Sequence, residues 1–412
     1  MGIGPSLFRT SKRIHTGIGC LANLADEITR ISPEKLLVIT DPVVKKVGPF
    51  DRLNAVLEKT ALDFEVFEGI DIEPTLETLK GCLESVGNGR FDAVIGLGGG
   101  SSIDVAKITA AMLANGGSFQ DYMGIEKIPM PGLPMIMIPT TAGTGAEATS
   151  NALLIDKKEK VKKSFVSSTL IPDVAIVDPE LTSSLPQNVT AATGMDALAH
   201  CLESFIFLRA TPVTELFSLE GIRCISGSLR EAYTSRGNIK ARYAMTLGSL
   251  YGGGMVLTNA GTVAVHALAY SIGGRFGVFH GISNAIMVPY LMKFNCLSSL
   301  SKFKRIAEAM GEDVLGLNQR EAAFKPVDAI FRLAEDVKIP LHLKDLDIPE
   351  SVIPEMAADA MKWTRLLVSN PRQMTVEDIA EIYSEAAQVF QDAGGNLFSS
   401  PGLLFQERLD QA

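Results

Sequence analysis

The sequence predicts two domains: an α/β domain with a mostly parallel sheet over residues 1–187, followed by an all-helical domain over residues 188–412. Three observations predict this fold. The chain has 412 residues, which is too long for one ordinary core. Short β-branched runs alternate with amphipathic stretches from about residue 30 to 185. After SLPQ (184–187) the strand signals fade, and apolar residues recur at the three- and four-residue spacing of helices.

The first half contains several runs with the composition of buried strands. They are KLLVITD (35–41), DFEVFEG (63–69), DAVIGLGGG (92–100), LPMIMIPTT (133–141) and VAIVDP (174–179). Helix patterns lie between the early ones, at 75–88 and 102–115. Such alternation implies a parallel sheet with helices on both faces. The charge run DKKEKVKKS (156–164) is expected to be a solvated turn or helix face.

The second half begins with NVTAATGMDALAHCLESFIF (188–207) and continues as helical patterns broken by Gly or Pro. The tail at 391–412 loses periodicity after its Gly-Gly pair. Either a loosely ordered end or an arm that packs on another subunit would account for that tail.

Composition excludes several classes of partner. A net charge of −9 argues against nucleic acid and against anionic membrane surfaces. The 5 cysteines are far apart and form no CxxC pair, which favours a reducing compartment over a disulfide framework. The N-terminus has no apolar signal core, and no apolar run reaches the ~20 residues of a membrane span. We therefore expect a cytoplasmic protein.

A glycine-rich loop lies where a predicted strand meets a helix, in GLGGGSSIDVAK (96–107). Gly98, Gly99 and Gly100 allow a ligand to approach the backbone, and Ser101 follows at the start of a helix whose free N–H groups attract phosphate. The spacing is GxGxxS, which is not the full dinucleotide fingerprint. A tight turn without a ligand is the alternative.

The next predicted strand ends in a similar loop, PTTAGTGAE (139–147), in which Thr140, Thr141 and Thr144 supply hydroxyls. Ligands of open α/β sheets bind at the carboxyl ends of the strands. Asp41 also follows a strand, where a carboxylate can accept from a ribose hydroxyl and repel a 2′-phosphate. These features favour NAD over NADP, although an Asp at that position is also a common turn former.

A second chemical signal opens the helical half. Asp196 and His200 are four residues apart, so a helix places them on one face. His266 and His280 lie in other helical patterns of an otherwise apolar region. Three imidazoles and one carboxylate suit Fe(II) or Zn(II) better than Mg(II) or Ca(II). The alternatives are a surface hydrogen bond for the first pair and core histidines for the second, although burying these groups without a metal would be costly.

These motifs together resemble the iron-dependent (group III) alcohol dehydrogenases. The resemblance covers about residues 8–390. Its landmarks are IGLGGGSSIDVAK, IPTTAGTGAEAT, PDVAIVDPELTSSLP, ATGMDALAHCLES, HGISNAIMVP and SNPR. The resemblance implies a Rossmann-like dinucleotide-binding domain and an all-α domain, the fold shared with dehydroquinate synthase, with hydride transfer in a cleft between the domains.

The resemblance also implies roles for individual residues. The metal ligands would be Asp196, His200, His266 and His280. The cofactor contacts would be Asp41, Gly98, Gly99, Gly100, Ser101, Thr140, Thr141, Thr144, Asn151, Lys162 and Leu181.

The chain departs from the family pattern at four places. Tyr270 stands where many relatives have a histidine credited with proton relay, so Tyr270, a water molecule or the ribose hydroxyls would take that part. Glu73 replaces an asparagine near the cofactor ribose, Leu257 replaces a phenylalanine, and Phe279 replaces a proline. The changes at 257 and 270 are expected near the substrate, so the substrate cannot be copied from one relative.

The expected activity is NAD(H)-linked oxidation of a small primary alcohol or reduction of its aldehyde, with one divalent metal, Fe(II) before Zn(II), in a homodimer or larger homo-oligomer. Two alternatives remain open: a non-redox NAD- and metal-dependent lyase of the dehydroquinate synthase type, and a catalytically silent NAD- or metal-sensing protein. Arg275 raises the further possibility of a substrate with an anionic tail, such as a sulfonate or phosphonate.

Overall fold

The computed structural model describes residues 4–87, 89–159 and 161–387. The chain forms two compact units. One comprises residues 8–185 and 236–258, and the other comprises residues 1–7, 186–235 and 259–412, so far as these are described. The structure therefore adds residues 236–258 to the unit that holds the α/β sequence, while the domain division at residue 187 stays a prediction. The tail at 391–412, expected to be either a loosely ordered end or an arm, lies outside the described residues.

The strands of the described residues all belong to the α/β unit. They are β1 Arg13–Thr16, β2 Lys35–Ile39, β3 Asp63–Phe67, β4 Ala93–Gly98, β5 Gly124–Ile125, β6 Met135–Pro139, β7 Asn151–Asp156, β8 Val161–Val166 and β9 Val174–Val177. The main sheet has the order β1-β9-β6-β4-β2-β3, and every pairing in it is parallel. The predicted parallel α/β sheet is confirmed, and each predicted strand run contains one of its strands.

Both faces of the main sheet are covered. Along β2, Leu36 and Val38 face one hydrophobic cluster, whereas Leu37 and Ile39 face another. This alternation explains why the strand sequence is apolar at every position rather than at every second one.

The charge run at 156–164 was expected to be a solvated turn or helix face, and that expectation is wrong in part. Its residues complete β7 and enter β8, which pair antiparallel with Asn151 opposite Val166 and Asp156 opposite Val161. β8 also pairs with the short β5, which gives a small second sheet. The two lysines of VKKSFV are adjacent and lie on a partly exposed strand that also contains the buried Phe165, and a charge count does not detect such a strand.

Most of the other described residues lie in helices. They are α1 Leu24–Ile31, α2 Pro42–Lys46, α3 Pro49–Leu57, α4 Leu76–Val86, α5 Gly100–Asn115, α6 Gln187–Ile206, α7 Pro212–Thr234, α8 Ile239–Ser249, α9 Leu257–Asn259, α10 Ala264–Phe276, α11 His280–Asn295, α12 Leu300–Ala309, α13 Gln319–Asp336, α14 Ile353–Ala360, α15 Thr364–Leu367 and α16 Val376–Ala387. A π-helical segment, Leu250–Val256, continues α8.

Helices are the regular secondary structure in the described part of the second unit, as predicted. Its α6 is buried on every side after the first turn, from Thr190 to Ile206. A helix in such surroundings can carry polar side chains only if they find partners inside the unit. Within the described residues no single helix is long and apolar enough to cross a membrane, and two consecutive helical segments reach that limit only when counted together.

Candidate active site

The polar residues of α6 form a stripe inside the helical unit. Asp196, His200 and Glu203 follow one another at four and three residues, so they lie on one helix face. All of them are buried, with exposed fractions of 3%, 4% and 0%. Three ionisable side chains on one buried stripe require partners from neighbouring helices.

Two further histidines complete the cluster. His266 lies in the first turn of α10 and is buried, and its Nε2 is 3.1 Å from Nε2 of His200. His280 is the first residue of α11, and its Nε2 is 4.0 Å from Oδ1 of Asp196. Ligand atoms of Asp196, His200 and His266 all lie within 4.8 Å of one another. The structure thus brings together the four residues predicted as metal ligands, and His280 is the most exposed of them at 19%.

Glu203 fixes the orientation of His266. Its Oε2 is hydrogen-bonded to Nδ1 of His266, while its Oε1 accepts from the backbone N–H of Val263 at 2.9 Å and of Val265 at 2.8 Å. Because the carboxylate is an acceptor, the proton of the imidazole lies on Nδ1 and the lone pair of Nε2 is directed into the cluster. Carboxylate–histidine pairs of this kind orient metal-binding histidines in many proteins.

Asn284 stands one turn after His280 on α11 and reaches the centre of the cluster. Its Nδ2 donates to Oδ1 of Asp196 at 2.6 Å and lies 3.3 Å from Nε2 of His266 and 3.2 Å from Nε2 of His280. One amide nitrogen therefore finds three ligand atoms within hydrogen-bond distance. Their lone pairs converge on a small region, which is the arrangement that a single cation requires.

The donor set fits a divalent metal ion. Two ligands about 2.0–2.1 Å from one tetrahedral ion lie about 3.3 Å apart, close to the 3.1 Å between the imidazoles of His200 and His266. Burial alone would raise the pKa of Asp196, but the surrounding histidines and the Asn284 amide outweigh it and hold that pKa below its usual value. The cluster thus favours the ionised carboxylate that a metal ligand must provide.

Tyr270 borders the cluster on α10. Its ring stacks on His280 with centroids 5.5 Å apart and lies edge-on to His266 at 6.0 Å. Burial raises the pKa of the Tyr270 phenol well above its ordinary value, against a smaller opposing effect of the Arg365 charge. The phenol is therefore neutral at physiological pH.

The predicted cofactor loops lie at the switch point of the main sheet. The chain runs from β2 outward to β3 and then returns to the other side of β2 to form β4, so β2 and β4 are the neighbouring strands at which the order reverses. Ligands of doubly wound sheets bind there, beyond the carboxyl ends of the strands. Asp41 follows β2, and Gly98 ends β4.

Asp41 and the glycine loop are in contact. The carboxylate of Asp41 accepts from the N–H of Val44 at 2.9 Å and from Oγ of Ser102 at 3.1 Å. Gly98 has a φ of +151°, and a Cβ built on it would lie 3.0 Å from Oδ2 of Asp41 and 2.4 Å from Oγ of Ser102. Only glycine fits this position, and its bare backbone leaves room for a ligand above the loop.

The threonine loop after β6 lies against the same glycines. A Cβ on Gly100 would meet the Thr144 side chain at 2.9 Å, and one on Gly99 would lie 3.4 Å from Cγ2 of Thr141. α5 begins at Gly100 without a side-chain cap, so its first N–H groups remain available to an anion such as a pyrophosphate. The loops therefore fit a dinucleotide, which would occupy the space that side chains would fill if these glycines were replaced.

The remaining predicted cofactor residues are more scattered. Ser101 donates its hydroxyl to the carbonyl of Ile72 and lies beside the loop, and Thr140 is buried at the end of β6. Asn151 begins β7, and Leu181 is a core residue at 1% exposed. Nζ of Lys162, on β8, is 3.9 Å from Oε2 of Glu73, so two residues singled out by the family comparison of the sequence form an ion pair.

Lys107 is a buried residue that the sequence did not single out. From α5 its Nζ donates to the carbonyls of Thr149 at 2.8 Å and Asn151 at 2.5 Å. Burial lowers the pKa of its ammonium, and the carboxylates of Asp104 and Glu147 counteract that effect. These hydrogen bonds connect α5, which follows the glycine loop, to residues 149–151, which follow the threonine loop.

The chain combines two features: a doubly wound sheet with a helix start that can bind an anion, and a buried cluster of three imidazoles and one carboxylate. Together they define a class of protein, the enzymes that use a dinucleotide and a divalent metal. The models of two domain families match this chain, "Iron-containing alcohol dehydrogenase" over residues 11–179 and "Fe-containing alcohol dehydrogenase family, C-terminal" over residues 190–387. The chain belongs to the iron-containing alcohol dehydrogenase family, as its motifs predicted.

Individual relatives agree with this assignment. Long-chain-alcohol dehydrogenase 1 of Geobacillus thermodenitrificans is 39% identical over 90% of this chain and 94% of its own length. The 1,3-propanediol dehydrogenase of Citrobacter freundii is 36% identical over 90% of this chain and 96% of its own. A crystal structure of a 1,3-propanediol oxidoreductase superposes with a TM-score of 0.90 at 34% identity, covering 93% of this chain and 100% of the other.

We expect Glu203→Gln to weaken metal binding by about 10–100-fold, the usual effect of losing a partner that orients a ligand. A glutamine has one acceptor oxygen, so its NH₂ group would face either Nδ1–H of His266 or the N–H groups of Val263 and Val265. Competition with a chromophoric chelator measures the affinity. Glu335→Gln on the exposed surface of α13 is the matched control. Equal affinities of the two variants would contradict the orienting role.

Proposed function

We propose that this protein is a metal-dependent alcohol dehydrogenase and aldehyde reductase that transfers hydride between NAD(H) and a small primary alcohol or its aldehyde. The convergence of Asp196, His266 and His280 on the Asn284 amide, with His200 beside His266, carries the proposal. Their exposed fractions are low, and a buried site strengthens every electrostatic interaction within it.

The four side chains would hold one divalent ion and keep it positive, because three of them are neutral imidazoles and one is a carboxylate. Bound there, such an ion supplies Lewis-acid chemistry, which eases ionisation of an alcohol hydroxyl and polarises an aldehyde carbonyl. We favour Fe(II) over Zn(II) because the matching family models describe iron-containing enzymes. Asn284 holds the Asp196 carboxylate in place through its hydrogen bond, and Glu203 does the same for His266.

The α/β unit would supply the cofactor site. The start of α5 offers its free N–H groups to the pyrophosphate, and the glycines let the backbone approach it. Asp41 would accept a hydrogen bond from a ribose hydroxyl, and its charge would oppose a 2′-phosphate, which favours NAD over NADP. The nicotinamide, when bound, is the hydride donor or acceptor. The further contacts of Asn151, Lys162 and Leu181 remain part of this proposal.

The relatives' names support oxidoreduction of alcohols rather than a lyase or sensor. Among them are a long-chain-alcohol dehydrogenase, an NAD-dependent methanol dehydrogenase, 1,3-propanediol dehydrogenases and lactaldehyde reductases. Their substrates differ widely in size and polarity. The family therefore supports the type of reaction, and the side chains around the metal site would determine which substrate is used. Cytoplasmic location and a homo-oligomeric state stay predictions of the sequence.

Turnover and metal content together test the proposal. Protein purified without oxygen should contain about one iron per chain and oxidise NADH when supplied with small aldehydes. Removal of the metal with a chelator should abolish NADH oxidation while NADH still binds, because the cofactor residues belong to the other unit. Fe(II) should restore the rate. An active enzyme without any bound metal, or no oxidation with any aldehyde in the iron-loaded protein, would refute the assignment.

A further inference from the structure

Trp363 is the single tryptophan of the 412 residues, and its ring reaches the metal cluster through that of Tyr270. It directly precedes α15 and is half-buried. Its ring centroid is 4.7 Å from that of Tyr270, with 52° between the planes. Tyr270 in turn stacks on His280 at 5.5 Å and 17°. A continuous aromatic surface, the Tyr270–Trp363 wall, therefore begins at a predicted metal ligand and extends to a partly exposed position.

The cation at Arg275 is already neutralised. Its Nε donates to Asp359 at 2.6 Å and its Nη1 to Glu355 at 2.7 Å, so the guanidinium binds two carboxylates of α14. An anionic substrate tail would have to displace these partners. Lys362, directly before Trp363, is also paired with Asp359, at 2.7 Å. Arg365 is exposed, and its charge reaches the Tyr270 hydroxyl. It is the group through which an anionic tail could compete with an apolar one.

We propose that Tyr270 and Trp363 determine substrate specificity and select primary alcohols and aldehydes with an unbranched apolar tail. The inference rests on the proposed function, because it takes the metal cluster as the place where the reacting oxygen binds. A tail that leaves this point along the wall packs against aromatic faces and loses contact with water. Each methylene group buried in this way raises kcat/KM by about fourfold. A tail of the same length that ends in a hydroxyl loses that gain, since the face of an aromatic ring does not replace the hydrogen bonds that the hydroxyl makes with water.

The first test is the dependence of kcat/KM on chain length. Straight-chain alcohols from ethanol to octan-1-ol are compared with diols of the same length and with a sulfonate-tailed aldehyde, in the wild type and in Trp363→Ala and Trp363→Phe. We expect a steep rise with length in the wild type, a much flatter one in Trp363→Ala, and an intermediate one in Trp363→Phe, with ethanol nearly unaffected. Phe324→Ala, which removes a half-buried aromatic ring from α13, is the matched control and should keep the wild-type slope.

The outcomes separate the wall from the proposed function. Three results would refute the role of the wall in specificity without refuting the dehydrogenase activity. They are a kcat/KM that does not change with chain length in the wild type, an unchanged slope in Trp363→Ala, and a preference for the sulfonate-tailed aldehyde. No turnover of any alcohol or aldehyde would overturn the proposed function instead. Thermal unfolding of both tryptophan variants shows whether they are folded. If Trp363→Ala does not fold, the comparison of Trp363→Phe with the wild type still tests the inference.

Tryptophan fluorescence tests the wall without turnover. Because Trp363 is the only tryptophan, the emission of the whole protein reports on this surface. Octan-1-ol should shift the emission to the blue with saturation, whereas propane-1,3-diol at the same concentration should leave it unchanged. An identical response to both compounds, or none to octan-1-ol, would contradict the inference. Phe324→Ala should retain the wild-type response.

Discussion

His280→Ala should lower kcat/KM for an aldehyde with NADH by at least about 10³-fold, because a metal ion that polarises a carbonyl contributes several kcal/mol to transition-state stabilisation. The ring of His280 begins α11 at the exposed side of the cluster, so its loss opens the coordination set toward solvent. Asp196, His200 and His266 would remain, but three ligands hold an ion less tightly and bring extra water to it.

Affinity for NADH should be unchanged in His280→Ala, since the predicted cofactor residues belong to the other unit. Steady-state kinetics, metal content and NADH fluorescence give the three readouts. His15→Ala is the matched control: its side chain is 26% exposed against 19% for His280, and it lies on β1 paired with Glu27. Full activity of His280→Ala would exclude this histidine as a metal ligand. Loss of activity in both variants would indicate a general effect on folding.

The main sheet could be predicted from the sequence because its strands are buried on both faces. Continuous apolar runs bounded by Gly, Pro and Asp are typical of such strands, and β2, β4 and β6 all have this pattern. β1 was missed, because RIHT is short, partly exposed and polar. β7 and β8 were not predicted for a similar reason: in hairpin strands with one solvated face, only about every second residue is apolar.

The buried cluster of Asp196, His200, His266 and His280 could be singled out from the sequence because so few residue types can bind a transition metal. The hydrogen bonds around these residues could not be predicted. Glu203 continues the spacing of Asp196 and His200, and Asn284 is four residues after His280, so helical spacing could have placed both on the ligand faces. What the spacing does not reveal is the direction of their hydrogen bonds. Trp363 is separated by more than eighty residues from His280, and only tertiary packing brings its ring to Tyr270.

Gly145→Ala should destabilise the α/β unit by about 3–5 kcal/mol, from the cost of a left-handed backbone together with overpacking. Gly145 has a φ of +62°, and a Cβ on it would lie 2.0 Å from the backbone nitrogen of Gly254. The atoms it meets are main chain of the π-helical segment, so no side-chain rotation can relieve the collision. Thr144 directly precedes it, so the variant should also bind NADH more weakly. Urea denaturation followed by circular dichroism measures the loss.

Gly253→Ala separates the two causes. A Cβ on Gly253 would lie 2.1 Å from the carbonyl oxygen of Thr144, but its φ is not in the left-handed region, so its destabilisation would come from the collision alone. Gly81→Ala in α4 is the matched control, because nothing lies within 4 Å of its Cβ position and alanine favours a helix by about 0.5–1 kcal/mol over glycine. We expect a large loss in Gly145→Ala, a smaller one in Gly253→Ala and a slight gain in Gly81→Ala. If Gly253→Ala were as stable as the wild type, the close approach of the threonine loop to the π-helical segment would be disproved, and the bare backbone at 253 would need another explanation.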